Sequence, residues 1–311
     1  MAMLELSSRW VLHLEIAMLS NPAEAPTLWL RDEMGVLFEA LETGQAVQLI
    51  NNETAAIRLR DIRFDAEHDA LILLFNYSDK NISDPVFENL ETGDLRTEPK
   101  LEGEGVAVSA HMVVDLRPVQ AGVSAYRAVL EDAPGIGRSK IEPFLTYLYR
   151  IASRIQFAAP DGRVKRCRPL FEMSGRQSET LRNDLQNGRL SMIELVQHLP
   201  AGDGFDEDGG VRVEARTLKL SVEQHAGEQA IDLLNRVRGR ARELGYPNMK
   251  VRWTQGRQKS AEFGTAREDA GDVLVFRTTE IRSDVPLPQC ESRIRDASAT
   301  RLIEVLRADE E

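Results

Sequence analysis

The residues best suited to chemistry gather in the middle of the chain. Pro134-Gly135-Ile136-Gly137 is followed at once by Arg138 and Lys140. Glycines let a backbone turn without a Cβ clash and let an anion approach closely. The free N–H groups that open a following helix face such an anion, and the helix dipole favours its negative charge. Arg138 and Lys140 add cationic donors beside them. A second basic run, from Arg163 to Arg168, holds Arg163, Lys165, Arg166 and Arg168. Together Gly135, Gly137, Arg138, Lys140, Arg163, Lys165, Arg166 and Arg168 form a candidate set for gripping the phosphates of double-stranded DNA without reading its bases.

A competing chemistry lies earlier. Asp84, Glu98 and Lys100 follow the order D…E-x-K found in a large nuclease fold, where carboxylates hold Mg²⁺ and the lysine steadies the attacking water. In that fold the E-x-K lies on an apolar strand. Here Pro99 occupies its centre with polar flanks, and proline removes a ladder donor. A charged surface loop is the simpler reading. None of the five histidines has a second one at metal-ligand spacing, and Cys167 and Cys290 form no CxxC pair. No GxGxxG follows a strand, and GxxxxGK[ST], GxSxG and HExxH are absent. No catalytic residue, metal or cofactor is therefore expected. A metal-dependent nuclease stays as one alternative, and a protein-interaction or inhibitor module with an acidic face as another.

The elements that must hold these residues can be read from apolar spacing. Ile141, Phe144, Leu145, Leu148, Ile151 and Ile155 fall on one face of a helix. Tyr126–Leu130 reads as a helix on the other side of the glycine bend. The whole then resembles the helix-hairpin-helix motif of non-specific DNA-binding proteins. Before it, strands are expected at 8–20, Ala46–Ile50, Ala55–Phe64 and Ala70–Asn76, with a helix over Ala25–Leu41. Gly105–Leu116 has the continuous apolar run of a strand buried on both faces. Beyond the bend, helices are expected over Glu179–Leu199, Gln229–Leu244 and Ala297–Leu306, and strands over Val211–Val222, Met249–Thr254 and Val273–Thr279. The fold class is α+β, with mostly antiparallel sheets in the N- and C-terminal regions and a helical middle. The expected regions are an acidic α/β part at 1–120, a basic helical part at 121–200, a linker at 201–210 and an α/β part at 211–311.

Charge supports this division. The chain of 311 residues has a formal net charge of −11, which argues against a wholly cationic surface. The charge is uneven: residues 1–136 hold 10 Lys+Arg against 23 Asp+Glu, while 137–200 hold 11 against 6. DNA binding needs a local positive face rather than a positive total. A second basic zone runs from Arg236 to Lys259. Two cysteines and 42% hydrophobic residues fit a cytoplasmic protein with a full core. Trp10–Ser20 lacks a preceding basic cluster, and no apolar run reaches membrane-span length, so neither a signal peptide nor membrane insertion is expected.

One further resemblance rests on His111-Met112-Val113-Val114 followed by Tyr126–Leu130, on Leu218–Leu220 and the helix to Leu244, and on Asp269-Ala270-Gly271-Asp272-Val273-Leu274. This order of elements resembles that of the RexA-like phage-exclusion and antiphage DNA-binding proteins. The resemblance implies a homodimer that binds duplex DNA with little sequence preference and signals to an effector protein in phage defence. It carries over no site residue.

Overall fold

The computed structural model describes residues 4–153, 155–159, 162–198, 215–255, 257–265 and 274–308. In chain order the elements begin with β1 (Ser8–Asn21), α1 (Leu30–Glu33), α2 (Gly35–Glu42), β2 (Val47–Ile50), β3 (Ala55–Asp65) and β4 (Ala70–Asp79). Next come β5 (Val86–Glu88), β6 (Leu95–Thr97), β7 (Val106–Gln120), β8 (Val123–Glu131), α3 (Arg138–Ala152), β9 (Gln156–Ala158), β10 (Val164–Arg166) and β11 (Arg168–Gly175). Then follow β12 (Gln177–Thr180), α4 (Leu181–Gln186), β13 (Arg189–His198), β14 (Ala215–Ala226), α5 (Gly227–Glu243), β15 (Asn248–Gln255), β16 (Arg257–Gly264) and β17 (Leu274–Phe276). The last two are β18 (Thr278–Arg282) and α6 (Asp296–Arg307).

The chain forms two compact units. Unit 1 takes Met1–Arg176 and Thr278–Glu311, and unit 2 takes Gln177–Arg277. This division differs from the regions expected at 1–120, 121–200 and 211–311. The expected boundary at 120/121 falls in the tight connection between β7 and β8, which pair as neighbours. The expected linker at 201–210 lies outside the described residues.

Unit 1 is built on an antiparallel sheet with the order β11-β1-β8-β7-β4-β3-β2. One long strand, β1, serves two partners along the same edge. Its first half pairs with β18, ending at Leu12 opposite Thr278. Its second half pairs with β11, starting at Leu14 opposite Gly175. At the seam the Arg176 N–H donates to the His13 carbonyl at 2.9 Å. Side chains alternate across the sheet. Leu14, Ile16, Leu73, Phe75 and Leu130 join one buried cluster with α2 and α3. Val11, Ile72, Val113 and Val129 join another with Ala299, Leu302 and Leu306 of α6. Both faces being covered, β4 and β7 read as unbroken apolar runs. On α3, Ile141, Phe144, Leu145 and Leu148 are at most 2% exposed, and each contributes about 1.5–3 kcal/mol by burial. Phe144 meets Phe75 of the sheet edge-on, with centroids 6.2 Å apart.

Unit 2 places α4 and α5 against one face of a four-stranded antiparallel sheet, β14-β13-β15-β16. Its core joins Leu181, Leu185, Ile193, Ile231, Leu234, Val251 and Trp253.

The expected helical middle is overturned: the chain is mostly β, 46% strand against 23% helix. Two segments account for the difference. Tyr126–Leu130 belongs to β8, a strand between β1 and β7. Its short apolar run suits a doubly covered strand as well as a helix, and spacing alone does not separate the two. Among the described residues of Glu179–Leu199, the end of β12 leads into the short α4 and the chain then extends into β13. The apolar positions Leu181, Leu185, Ile193 and Val196 suggest one helix, but Leu181 and Leu185 lie on α4 while Ile193 and Val196 lie on β13. The helices expected at 141–155, 229–244 and 297–306 are present as α3, α5 and α6.

Candidate nucleic-acid interface

The glycine bend joins β8 to α3, so it is a strand–turn–helix connection and not a helical hairpin. Ile136 N–H donates to the Ala133 carbonyl at 3.1 Å and closes the turn. Gly135 has φ +84°, a conformation that side chains with a Cβ rarely adopt. A Cβ there would also lie 3.1 Å from the Tyr77 ring. Gly137 makes a different demand. It is the extended N-cap of α3, with φ −161° and ψ 177°, and no side chain caps the helix. Nothing lies within 4 Å of a Cβ built on it. Ile136 is buried at 3% exposure and anchors the bend, while Gly135 itself is exposed. The first turn of α3 contains no acidic residue, so its dipole end is left positive.

The cations are not equally available. Arg138 is exposed but already interacts with another group of the chain. The Lys140 ammonium lies 4.7 Å from the centre of the Tyr77 ring. That phenol donates to Asp79 at 3.0 Å, and burial followed by Asp79 pushes its pKa up. Arg163 is exposed and likewise engaged. Lys165 is ion-paired with Glu24 at 3.0 Å, and its hydrogen bond holds the Glu24 carboxyl below the usual range. Arg166 and Arg168 are exposed. Across the strands Arg166 faces Gln156 and Arg168 faces Asn21, so neither has a carboxylate opposite it.

The candidate residues do not form one cradle. Gly135, Gly137, Arg138 and Lys140 sit at the start of α3. Arg163, Lys165, Arg166 and Arg168 follow its end, where the Cys167 N–H donates to the Ile155 carbonyl at 3.0 Å. The 15 residues of α3 separate the groups by about 22 Å. Arg150 belongs to the second group and escaped the sequence reading. It is exposed in the last turn of α3, with its guanidinium 5.5 Å from the Tyr147 ring centre. Its three-residue spacing from Tyr147 was the available signal. The second basic zone is also divided. Arg236 and Arg240 are exposed on α5. Arg252 lies on β15 in register with Met192, away from the α5-covered face, and pairs with Glu194 at 3.1 Å.

The carboxylate set does not converge either. Lys100 binds Asp84 at 2.9 Å, and that contact holds the Asp84 carboxyl low. Glu98 turns instead to Arg96 at 2.6 Å. All lie on the projecting β5–β6 hairpin and its flanks. Among the described residues no group of three or more His, Cys, Asp or Glu is placed to hold a metal ion.

His111 is a structural residue in a buried polar network. Its backbone N–H and ring Nδ1 both meet Glu131 at 2.8 Å. Its Nε2 accepts the Arg295 N–H at 3.2 Å. This pattern assigns the neutral tautomer with the proton on Nδ1. Arg9, 7% exposed, lies near this network and donates to the Ser8, Leu287 and Pro288 carbonyls; burial lowers its pKa despite nearby Glu131 and Glu291.

Among the described residues, no helix is long and apolar enough to cross a membrane. No family model, no curated protein and no solved structure matches the chain.

Proposed function

We propose that this chain is a non-enzymatic protein that binds duplex DNA without sequence preference. The observation carrying this reading is the pair Arg166 and Arg168, two exposed guanidinium groups with no carboxylate opposite them. Arg150 at the same end of α3 and the uncapped, positively flanked start of that helix support it. Phosphates recur every ~3.4 Å along one strand, so two cationic groups about 22 Å apart match about six phosphate steps. The test is binding of an arbitrary duplex by the protein and by its Arg166→Gln/Arg168→Gln variant. The variant binds less tightly, and equal affinity would remove these residues from the interface.

Substitutions at the glycine bend are unsuited to that test, because Gly135 has a positive φ and packs against the Tyr77 ring, so its replacement disturbs the fold itself.

A further part of the proposal, a homodimer that contacts an effector, is supported by the β5–β6 hairpin. It exposes Phe87 at 53%, Leu90 at 96% and Leu95 at 69% among Glu88, Glu91 and Asp94. Exposed apolar groups rimmed by charge mark protein contacts. Light scattering of the protein is expected to give a dimer, and of Phe87→Ser/Leu90→Ser a monomer. A monomeric parent protein would refute the dimer.

A further inference from the structure

We propose that unit 1 enters the minor groove of the duplex with an exposed leucine pair beside Arg168, and bends the DNA there. The pair is Leu19 and Leu170. This deepens the duplex-binding reading and rests on it.

Three observations converge on this corner of the sheet. First, exposure alternates along the chain from Val164 to Phe171. Val164, Arg166, Arg168 and Leu170 are exposed, whereas Cys167, Pro169 and Phe171 are buried. Cys167 and Phe171 join the cluster that packs on α3. The two guanidinium groups and the two aliphatic side chains therefore share the outward side of one extended run. Successive members stand about 6.8 Å apart along it.

Second, the sheet face is open where that run joins it. Leu170 on β11 pairs with Leu19 on β1, so their Cβ atoms lie about 4.5–5.5 Å apart. Leu170 is 37% exposed and Leu19 40%. Leu19 shares its face of β1 with Val11, which α6 covers. Among the described residues, the sheet positions buried with α6 are Val11, Ala70, Ile72, Val113 and Val129. None of them belongs to β11 or to the half of β1 that pairs with it. The helix stops short, and the leucine pair meets solvent.

Third, the neighbours of the pair suit one groove. Exposed Asn21 stands opposite Arg168, next to Leu19. Arginine, asparagine and an apolar wedge are the side chains that proteins bring to the minor groove. The widths agree. The minor groove is about 6 Å wide and the major groove about 12 Å, so a leucine pair about 5 Å across fills the first and not the second. With Arg166 and Arg168 on the phosphates of one strand, Leu170 meets the adjoining groove about 6.8 Å further along the row. Exposed Glu172 comes next, opposite Ala17. Its carboxylate repels phosphate and bounds the footprint there. An aliphatic wedge unstacks a base step and kinks the duplex by about 20–90°. It makes no hydrogen bond to a base, so it adds no sequence preference.

The test uses the full chain and a duplex labelled at both ends for energy transfer. Binding is expected to bring the ends closer. Netropsin, a minor-groove ligand, is expected to displace the protein, and methyl green, a major-groove ligand, to leave it bound. Leu19→Ser/Leu170→Ser is expected to bind about tenfold more weakly, because two half-exposed leucines are no longer buried. It should also lose the bend, yet keep the parent slope of log K against log salt, since no phosphate contact is removed. Leu19→Met/Leu170→Met, which keeps the apolar surface, should retain both affinity and bend. A parent protein that binds the duplex without bending it, or that resists netropsin, overturns the inference and leaves duplex binding standing. So does Leu19→Ser/Leu170→Ser binding and bending as the parent does. A parent protein that binds no duplex at all overturns both readings.

Discussion

Replacing Arg166 and Arg168 by glutamine removes two cations that the fold does not use. Each phosphate contact contributes about 0.9 to the slope of log K against log salt. Losing two should flatten that slope by about 1.8 and, at 0.1 M salt, weaken binding about 60-fold, or about 2.5 kcal/mol. At 0.2 M the same loss shrinks to about 18-fold. Fluorescence anisotropy with a labelled duplex of arbitrary sequence, read from 0.05 to 0.2 M salt, measures both quantities. Lys165→Gln is the control, because that ammonium is already bound to Glu24 and should change the slope less. The reasoning fails if the double variant keeps the parent slope, or if Lys165→Gln flattens it as much.

Three further outcomes test the framework. Gly135→Ala should cost about 1–2 kcal/mol from its left-handed backbone and more from the Tyr77 ring, whereas Gly137→Ala, at an extended N-cap with open space around it, should cost only about 0.5–1 kcal/mol; urea unfolding separates them, and equal losses would contradict the turn geometry. Asp184 is 1% exposed and accepts from Trp253 Nε1 at 2.5 Å and Lys259 Nζ at 2.8 Å. Asp184→Asn leaves the Lys259 charge buried without its counterion and should destabilise unit 2 by about 3–5 kcal/mol; a loss below about 1 kcal/mol in thermal unfolding would show the pair to be dispensable. Burial, then Asp32, raises the Glu33 pKa, so the folded state holds this proton more tightly than the unfolded state. Stability should therefore fall as pH rises through the carboxylate range, and Glu33→Gln should reduce that fall; identical pH profiles for parent and variant would refute it.

Spacing revealed elements whose partners did not need to be known. The stripe on α3 and the unbroken run of β7 announce one covered face and two. Tyr126–Leu130 was opaque because its state is decided by the strands on either side: β7 just before it in the chain, and β1, whose Leu12 pairs with Leu130 from far away in sequence. Leu181, Leu185, Ile193 and Val196 misled because a short helix and the strand after it together copied the spacing of one longer helix. The basic run at 163–168 was visible, but its division into bound and available cations was not. Glu24, which occupies Lys165, lies 141 residues away. The same distance problem hid the Glu131 and Arg295 partners of His111, and the return of the chain to β1 at Thr278.

That return has a consequence for how the protein is put together. The chain leaves the large sheet beside His13 and rejoins it beside Leu12, so the excursion from Gln177 to Arg277 begins and ends at neighbouring points on a single strand. Everything between is a cassette hung from one seam. Neither ladder of β1 at that seam draws on a residue between Gln177 and Arg277.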